Sequence, residues 1–297
     1  MPGETKHHDD LDAAARTFAA VRPRLFGIAY RMLGTVADAE DIVQDTWERW
    51  QQTDRSVVRE PAAFLATTAT RLAINQAQSA RVRRETYIGP WLPEPVDTSA
   101  DPLLGAERGE ALEFAVLVLL EKLTPTERAA YVLREAFDYP YGQIAEIIQG
   151  SEASARQLVS RARKHLAEER DVREVDHAQQ KRMLEAFLEA AKSGDIGELE
   201  RMFTADIVSY ADGGGLARAS RIPVFTPETV AKYLHAFHGR FWEGTVHIVE
   251  ANGAPAAVLV RDGALVAFLT LDVTPDGIRR LQWVLNPEKL ERMPVPA

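Results

Sequence analysis

The chain contains no cysteine. That absence removes disulfides, thiolate nucleophiles, cysteine-ligated zinc and thiol redox switching together. No apolar run approaches the length of a membrane span. The first ten residues, with Glu4, Asp9 and Asp10, lack the basic and apolar regions of a signal peptide. With no lipidation signal either, a cytoplasmic protein with no membrane partner is expected. Excess positive charge is also missing, since 35 lysines and arginines face 44 aspartates and glutamates, for a net charge of −9. DNA affinity comes largely from neutralised phosphates, so a chain this acidic should hold bare duplex poorly unless a partner adds contacts. The remainder is ordinary. The 297 residues are 46% hydrophobic and 27% charged, with room for roughly two or three domains.

The stretch from Thr124 to Leu166 organises what is present. Thr124, Pro125 and Glu127 read as N-cap, first helical residue and the reciprocal member of a capping box. Tyr131, Val132, Leu133 and Phe137 give that helix its apolar positions, and Asp138-Tyr139-Pro140 stops it. A second short helix carries Ile144, Ala145, Ile147 and Ile148, and Gln149-Gly150-Ser151 turns the chain. In the third helix Ala155, Leu158, Val159, Ala162 and Leu166 form one stripe at helical period. The opposite face holds Ala153, Arg156, Gln157, Ser160, Arg161 and Lys164. A solvated surface helix would also show arginines. Here, however, groups able to read base edges lie among cations able to hold phosphates, behind a tight turn. This predicts a helix-turn-helix that reads a DNA major groove.

Upstream, Leu11 to Leu33 reads as a long helix closed by Gly34, with Thr35 capping the next. On that next helix Asp38, Asp41, Gln44, Asp45 and Glu48 share a face, with Ala39, Val43, Thr46 and Trp50 opposite. Four acids along an open helix form no closed ligand set and have no nearby histidine, so metal is not expected. A solvated face and a docking surface for a basic partner helix both fit. A third helix begins at Pro61 and offers Arg71, Asn75, Gln78, Arg81, Arg83 and Arg84 on its polar side, suited to bases and backbone of a nucleic acid.

The string Asp38-Ala39-Glu40-Asp41-Ile42-Val43-Gln44-Asp45-Thr46-Trp47, the Ala73-Ile74-Asn75 helix and a helix-turn-helix opening Leu123-Thr124-Pro125-Thr126-Glu127-Arg128 together resemble an extracytoplasmic-function sigma factor. The resemblance covers roughly residues 10–170. It implies that the acidic helix docks on the clamp helices of the RNA polymerase β′ subunit, with the β subunit also a partner. It implies that the Thr53–Arg84 region melts and reads the promoter −10 element, and that the helix-turn-helix reads −35. Many members of the family carry a basic residue at the position of Leu158, so their −35 sequence does not carry over.

Between the DNA-reading parts, Gly89-Pro90-Trp91-Leu92-Pro93-Glu94-Pro95 marks a semi-extended connector on which Trp91 is expected to dock. An apolar helix from about Glu107 to Leu123 follows. After Arg170 come a helix over Gln179–Ala191, a second ending near Phe203, and a helix from Pro227 to about His238. Strand candidates lie at Asp206–Tyr210, Thr245–Ala251, Ala256–Arg261, Ala264–Val273 and Ile278–Leu285, with Asp262-Gly263 and Asp276-Gly277 as hairpin turns. The expected organisation is a helical bundle at 10–84, a linker at 85–106, a helix-turn-helix domain at 107–170 and an α+β cone at 176–297. The cone is similar to the SnoaL-like branch of the NTF2 superfamily. The strings Asp212-Gly213-Gly214-Gly215, Trp91-Leu92-Pro93-Glu94-Pro95 and Asn286-Pro287-Glu288-Lys289-Leu290 match the sigma factor subgroup with this fused extension, the sigma factor J type.

Asp206, Tyr210, Asp212, His235, His238, His247 and Asp272 could supply acid–base chemistry in such a cone. Fold alone assigns no function, His235 and His238 imply no third ligand, and the glycine run precedes no helix that would make it a phosphate loop. Regulation is favoured over catalysis, with no cofactor or metal expected and an unidentified small ligand left open. The C-terminal domain is expected to pack on the two DNA-reading domains and set their relative orientation, through a regulatory contact that uses Trp91, Asp212, Gly213, Gly214, Gly215, Asn286, Pro287, Lys289 and Leu290. Two functions from different classes remain: a promoter-specificity subunit of core RNA polymerase with a built-in control domain, and a DNA-binding regulator fused to a small-molecule enzyme or sensor. The acidic helix discriminates, because only the first requires it.

Overall fold

The computed structural model describes residues 2–98, 113–168 and 175–296. They form two compact units. One comprises residues 1–83, 106–111 and 119–166; the other comprises residues 84–105, 112–118 and 167–297.

The first unit is helical. Helix α1 (Pro2–Leu33) ends at Gly34, whose positive φ of 74° lets its N–H return to the Tyr30 carbonyl at 2.7 Å. Helix α2 (Val36–Gln52) starts under the Thr35 cap and buries Ala39, Ile42, Val43, Thr46 and Trp50. Trp50 is fully enclosed, and its indole N–H reaches the Ala14 carbonyl at 3.2 Å. Helix α3 (Pro61–Glu85) buries a ladder of small residues, Ala66, Ala69, Ala73, Ala77 and Ala80. Among the described residues, the helix expected from Glu107 runs only over α4 (Phe114–Leu120), of which residues 114–118 belong to the second unit; positions 107–112 lie outside the described residues. Helices α5 (Pro125–Glu135), α6 (Tyr141–Ile147) and α7 (Glu152–Ala167) make the helix-turn-helix. The capping box of Thr124 and Glu127 forms as expected, and Gln149 takes the left-handed turn conformation at φ 57°.

The second unit packs helices on a six-stranded mixed sheet. In order come α8 (His177–Ser193), α9 (Ile196–Met202), β1 (Phe203–Asp212), β2 (Val224–Phe225), α10 (Pro227–Phe241), β3 (Thr245–Ala251), β4 (Ala254–Arg261), β5 (Ala264–Thr274), β6 (Gly277–Val284) and α11 (Pro287–Leu290). The spatial order is β2-β1-β6-β5-β4-β3. Strands β3 to β6 are the expected antiparallel meander, while β1 lies parallel to β6, an arrangement that alternation alone does not reveal. The two-residue strand β2 is too short to show a period.

One sheet face buries Ile207, Ala211, Ala257, Leu269, Leu281 and Trp283 with Leu184 and Phe187 of α8. A second cluster joins Leu92 of the connector, Phe114 of α4, Phe268, Val284, Leu290 and Met293. Of the linker expected at 85–106, the described residues 85–98 group with the sheet. Asp97 bridges Ala251, and Val96 donates its N–H to the Asn252 side chain at 3.0 Å.

Candidate functional surfaces

On α2, Asp41, Gln44, Asp45 and Glu48 are exposed on the face opposite Trp50. Asp38 departs from this set. Its carboxylate accepts hydrogen bonds from Thr35 (2.6 Å) and Gln76 (3.2 Å) and lies 3.7 Å from Arg83. It therefore holds the start of α2 against α3. Among the described residues no cluster of histidines and carboxylates suits a metal ion.

The six polar residues expected to act together on α3 divide by partner. Asn75, Gln78 and Arg81 are exposed. Arg83 pairs with Asp38, and Arg84 stacks over the Trp91 ring at 3.5 Å. Arg71 reaches the end of α6, donating from Nε to the Ile147 carbonyl (3.0 Å) and from Nη2 to the Glu146 carbonyl (2.8 Å). Helical period places all six on a polar side but does not show which are already engaged.

Helix α7 buries Ala155, Leu158, Val159, Ala162 and Leu166 and exposes Ala153, Arg156, Gln157, Ser160 and Lys164. Arg161 is half-exposed, and its Nε donates to Glu127 at 3.0 Å, linking α7 to the α5 cap. Burial alone would raise the Glu127 pKa, but hydrogen bonds from Thr124 and Arg161 outweigh it and hold the carboxyl below the usual range. Arg156 pairs with Glu152 and lies over the Tyr141 ring. The Arg163–Glu135 pair at 2.7 Å braces the same two helices, a contact that spacing could not show.

In the second unit Asp212 is completely buried at the end of β1. Its carboxylate accepts hydrogen bonds from the Tyr87 hydroxyl (2.6 Å), the Leu92 N–H (2.8 Å) and the Lys289 ammonium (2.7 Å). Lys289 also donates to the Leu92 carbonyl at 2.5 Å and sits 4.3 Å from the Trp91 ring centre. Asn286 caps α11 and donates to the Tyr87 hydroxyl at 3.0 Å. Pro287 opens α11, and Leu290 is buried beneath it. The glycines are required by close approach. A Cβ on Gly213 would meet the Ala217 carbonyl oxygen at 2.5 Å, and one on Gly215 would meet Ile88 at 2.8 Å. Trp91, Asp212, Gly213, Gly214, Gly215, Asn286, Pro287, Lys289 and Leu290 thus lie within one unit, in a clasp that fastens the connector to the sheet. Tyr87 is the member that sequence reasoning missed; its only signal was an aromatic hydroxyl just before the Gly89-Pro90 turn. Burial, then the neighbouring Asp212, pushes the Tyr87 hydroxyl pKa up. Burial pushes the Lys289 ammonium down to about 8, with the attraction of Asp212 opposing it.

Residues 17–83 match Sigma-70 region 2 and residues 113–166 match Sigma-70, region 4. Over 292 residues the chain is 35% identical to the ECF RNA polymerase sigma factor SigJ of Mycobacterium tuberculosis, covering 94% of this chain and 93% of that one. The chain belongs to the extracytoplasmic-function (ECF) RNA polymerase sigma factors. The probable ECF RNA polymerase sigma factor SigI of the same species is 29% identical over 290 residues, with 96% of each chain covered. The crystal structure of SigJ superposes with a TM-score of 0.77 at 32% identity, covering 95% of this chain and all of that one. A sigma factor directs promoter recognition and transcription initiation, and in this one regions 2 and 4 occupy residues 17–83 and 113–166.

Three of the acid–base candidates of this sigma factor are engaged with partners of their own. Asp206 pairs with Arg279, Asp272 pairs with Arg280, and His235 bonds the Gly194 carbonyl. The side chain of His238 lies outside the described residues. Among the described residues, Leu188, Trp242 and Trp283 line a small apolar void of about 10 Å³.

Proposed function

We propose that this sigma factor binds core RNA polymerase through the exposed acids of α2, with Asp41, Asp45 and Glu48 meeting the β′ clamp helices. Asn75, Gln78 and Arg81 of α3 then contact the −10 element, and Arg156, Gln157, Ser160 and Lys164 of α7 contact −35. Promoter activity is set in cis by the C-terminal unit through the state of the connector. The Asp212 clasp is the observation that carries the control reading. Four groups from two distant segments of the chain, Tyr87, Leu92, Asn286 and Lys289, converge on or beside one buried carboxylate. A cluster so specific fixes where the connector between regions 2 and 4 runs.

The acidic face is tested by the Asp41→Lys, Asp45→Lys double variant. Both side chains are exposed, so the fold should survive while affinity for core polymerase falls at least about tenfold in a pull-down titration. Unchanged affinity would remove the docking assignment.

A further inference from the structure

Exposed apolar side chains gather at the β2 edge of the C-terminal sheet. Eight large ones are exposed among the described residues, and four of them, Ile88, Leu216, Ile222 and Phe225, lie on two segments that touch. Ile88 of the connector lies against the loop at Gly215, and Gly89 lies against the Arg221 backbone. Ile222 is 72% exposed, and Phe225, on the edge strand β2, is 56% exposed. The loop ends at Thr226, a β-branched residue held at φ 69°. Strain of that kind persists only where the surroundings fix a loop's shape, so the patch is preorganised.

Its polarity selects the partner. Asp212 is buried and paired, and Glu228 pairs with Lys232. Between them the chain carries Arg218 and Arg221, both exposed, and no carboxylate or lysine. This stretch is therefore positive on a chain of net charge −9. An apolar centre rimmed by arginine is the make-up of a protein–protein contact. A single-stranded nucleic acid would call for stacked aromatics, and three of the four apolar groups are aliphatic. A second copy meeting the same patch would set arginine against arginine. Pro223 and Pro227 flank β2 and remove backbone donors at both ends, so the edge is no template for an added strand. Docking there goes through side chains.

We propose that this edge is a second contact with core RNA polymerase, seated in an apolar cleft with an acidic rim. The inference rests on the reading that region 2 seats the chain on that enzyme. Ile88 stands five residues beyond the end of region 2 at residue 83, a reach of at most about 18 Å. Once region 2 is seated, the tether holds the patch beside the polymerase at an effective concentration of about millimolar, where even a weak contact counts. The C-terminal unit then adds to affinity for the core enzyme as well as holding the connector.

In the full-length chain, Ile222→Asp combined with Phe225→Asp should lower affinity for core polymerase about tenfold in a pull-down titration. Arg221→Glu should lower it about threefold, and less at high salt. Ile248→Asp, at an exposed apolar position on the opposite edge strand β3, should leave it unchanged. All four positions are at the surface, so the variants should fold, and far-ultraviolet circular dichroism verifies this. A photoreactive residue in place of Ile222 reads the contact without relying on a loss, and in the holoenzyme it should crosslink to a core subunit. Crosslinks only to promoter DNA, or only to a second copy of the chain, overturn the proposal. So does full affinity in the paired aspartate variant, or an equal loss in Ile248→Asp. The Asp41→Lys, Asp45→Lys variant keeps the two readings apart: affinity lost there but kept in the edge variant removes the second contact and leaves docking through α2 standing.

Discussion

A methyl group on Gly214 would sit 2.4 Å from the Asn286 amide nitrogen and 2.8 Å from the Tyr87 hydroxyl, on a backbone held at φ +59°. Gly214→Ala therefore combines a left-handed penalty with a clash against two members of the clasp. It should cost about 2 kcal/mol of stability and speed limited proteolysis between Arg84 and Val96. Lys289 gives a pH signature. Its folded value is about 8 and its ordinary value 10.5. Below pH 8 both states hold the proton and the cost of burying the ammonium is fully present. Between about 8 and 10.5 the unfolded chain keeps a proton that the folded chain has lost, so this group's contribution to stability rises with pH. Denaturant melts at pH 7.5 and pH 10 should show that rise in the wild type relative to Lys289→Met, which has nothing to titrate there. An identical pH dependence in the two proteins would place Lys289 outside the linkage.

Among the elements, those with local grammar were legible. The capping box, the Gly34 stop and the two Asp-Gly hairpins are each encoded within a few residues, and all appear where the spacing puts them. Pairing between distant segments was not. Nothing local in β1 says that it runs parallel to β6, and nothing in Arg71 says that it reaches residues 146 and 147. Period assigns a face, not a partner. The clasp was half legible: its loops stand out as Gly-rich and Pro-rich strings, but the convergence of Tyr87 and Lys289 on Asp212 is a tertiary fact. At this scale Thr124→Ala should cost about 1 kcal/mol by removing the α5 cap. It also frees Glu127 from one of the bonds that keeps its carboxyl acidic. In the wild type that contribution is complete above the ordinary value of 4.5 and fades as pH falls through the lower folded value. Acid titrations of wild type and Thr124→Ala should therefore converge toward low pH. On α7, Arg156→Ala should relax base preference at one or two −35 positions, while Lys164→Ala should weaken all promoters alike. Transcription from a randomised −35 library separates the two outcomes.

At the scale of the whole molecule, the control reading needs a perturbation that loosens the connector without unfolding the domain that holds it. Removing the tail after Leu285 does not meet that need. It strips Leu290 and Met293 from a buried cluster and leaves Asp212 with no ammonium beside it, a loss of several kcal/mol by either route. Any change in activity would then mix loosening with unfolding. Trp91 offers a cleaner test, because it is only partly buried and touches the clasp through Arg84 and Lys289. Trp91→Ala removes both cation–π contacts, each worth about 1 kcal/mol, while the Asp212 bonds to Tyr87 and Leu92 remain. If the clasped connector restrains the sigma regions, this variant should raise run-off transcription severalfold at saturating core polymerase. Its affinity for core enzyme should stay near wild type, and the loss of about 2 kcal/mol should lower its thermal midpoint by only a few degrees. The covalent tether sets the size of the effect, since a contact of a few kcal/mol competes against an effective concentration of about millimolar. Activity equal to wild type in Trp91→Ala, together with faster proteolysis of the connector, would show that the clasp opens without consequence for initiation. The C-terminal unit would then have to act elsewhere than through the connector.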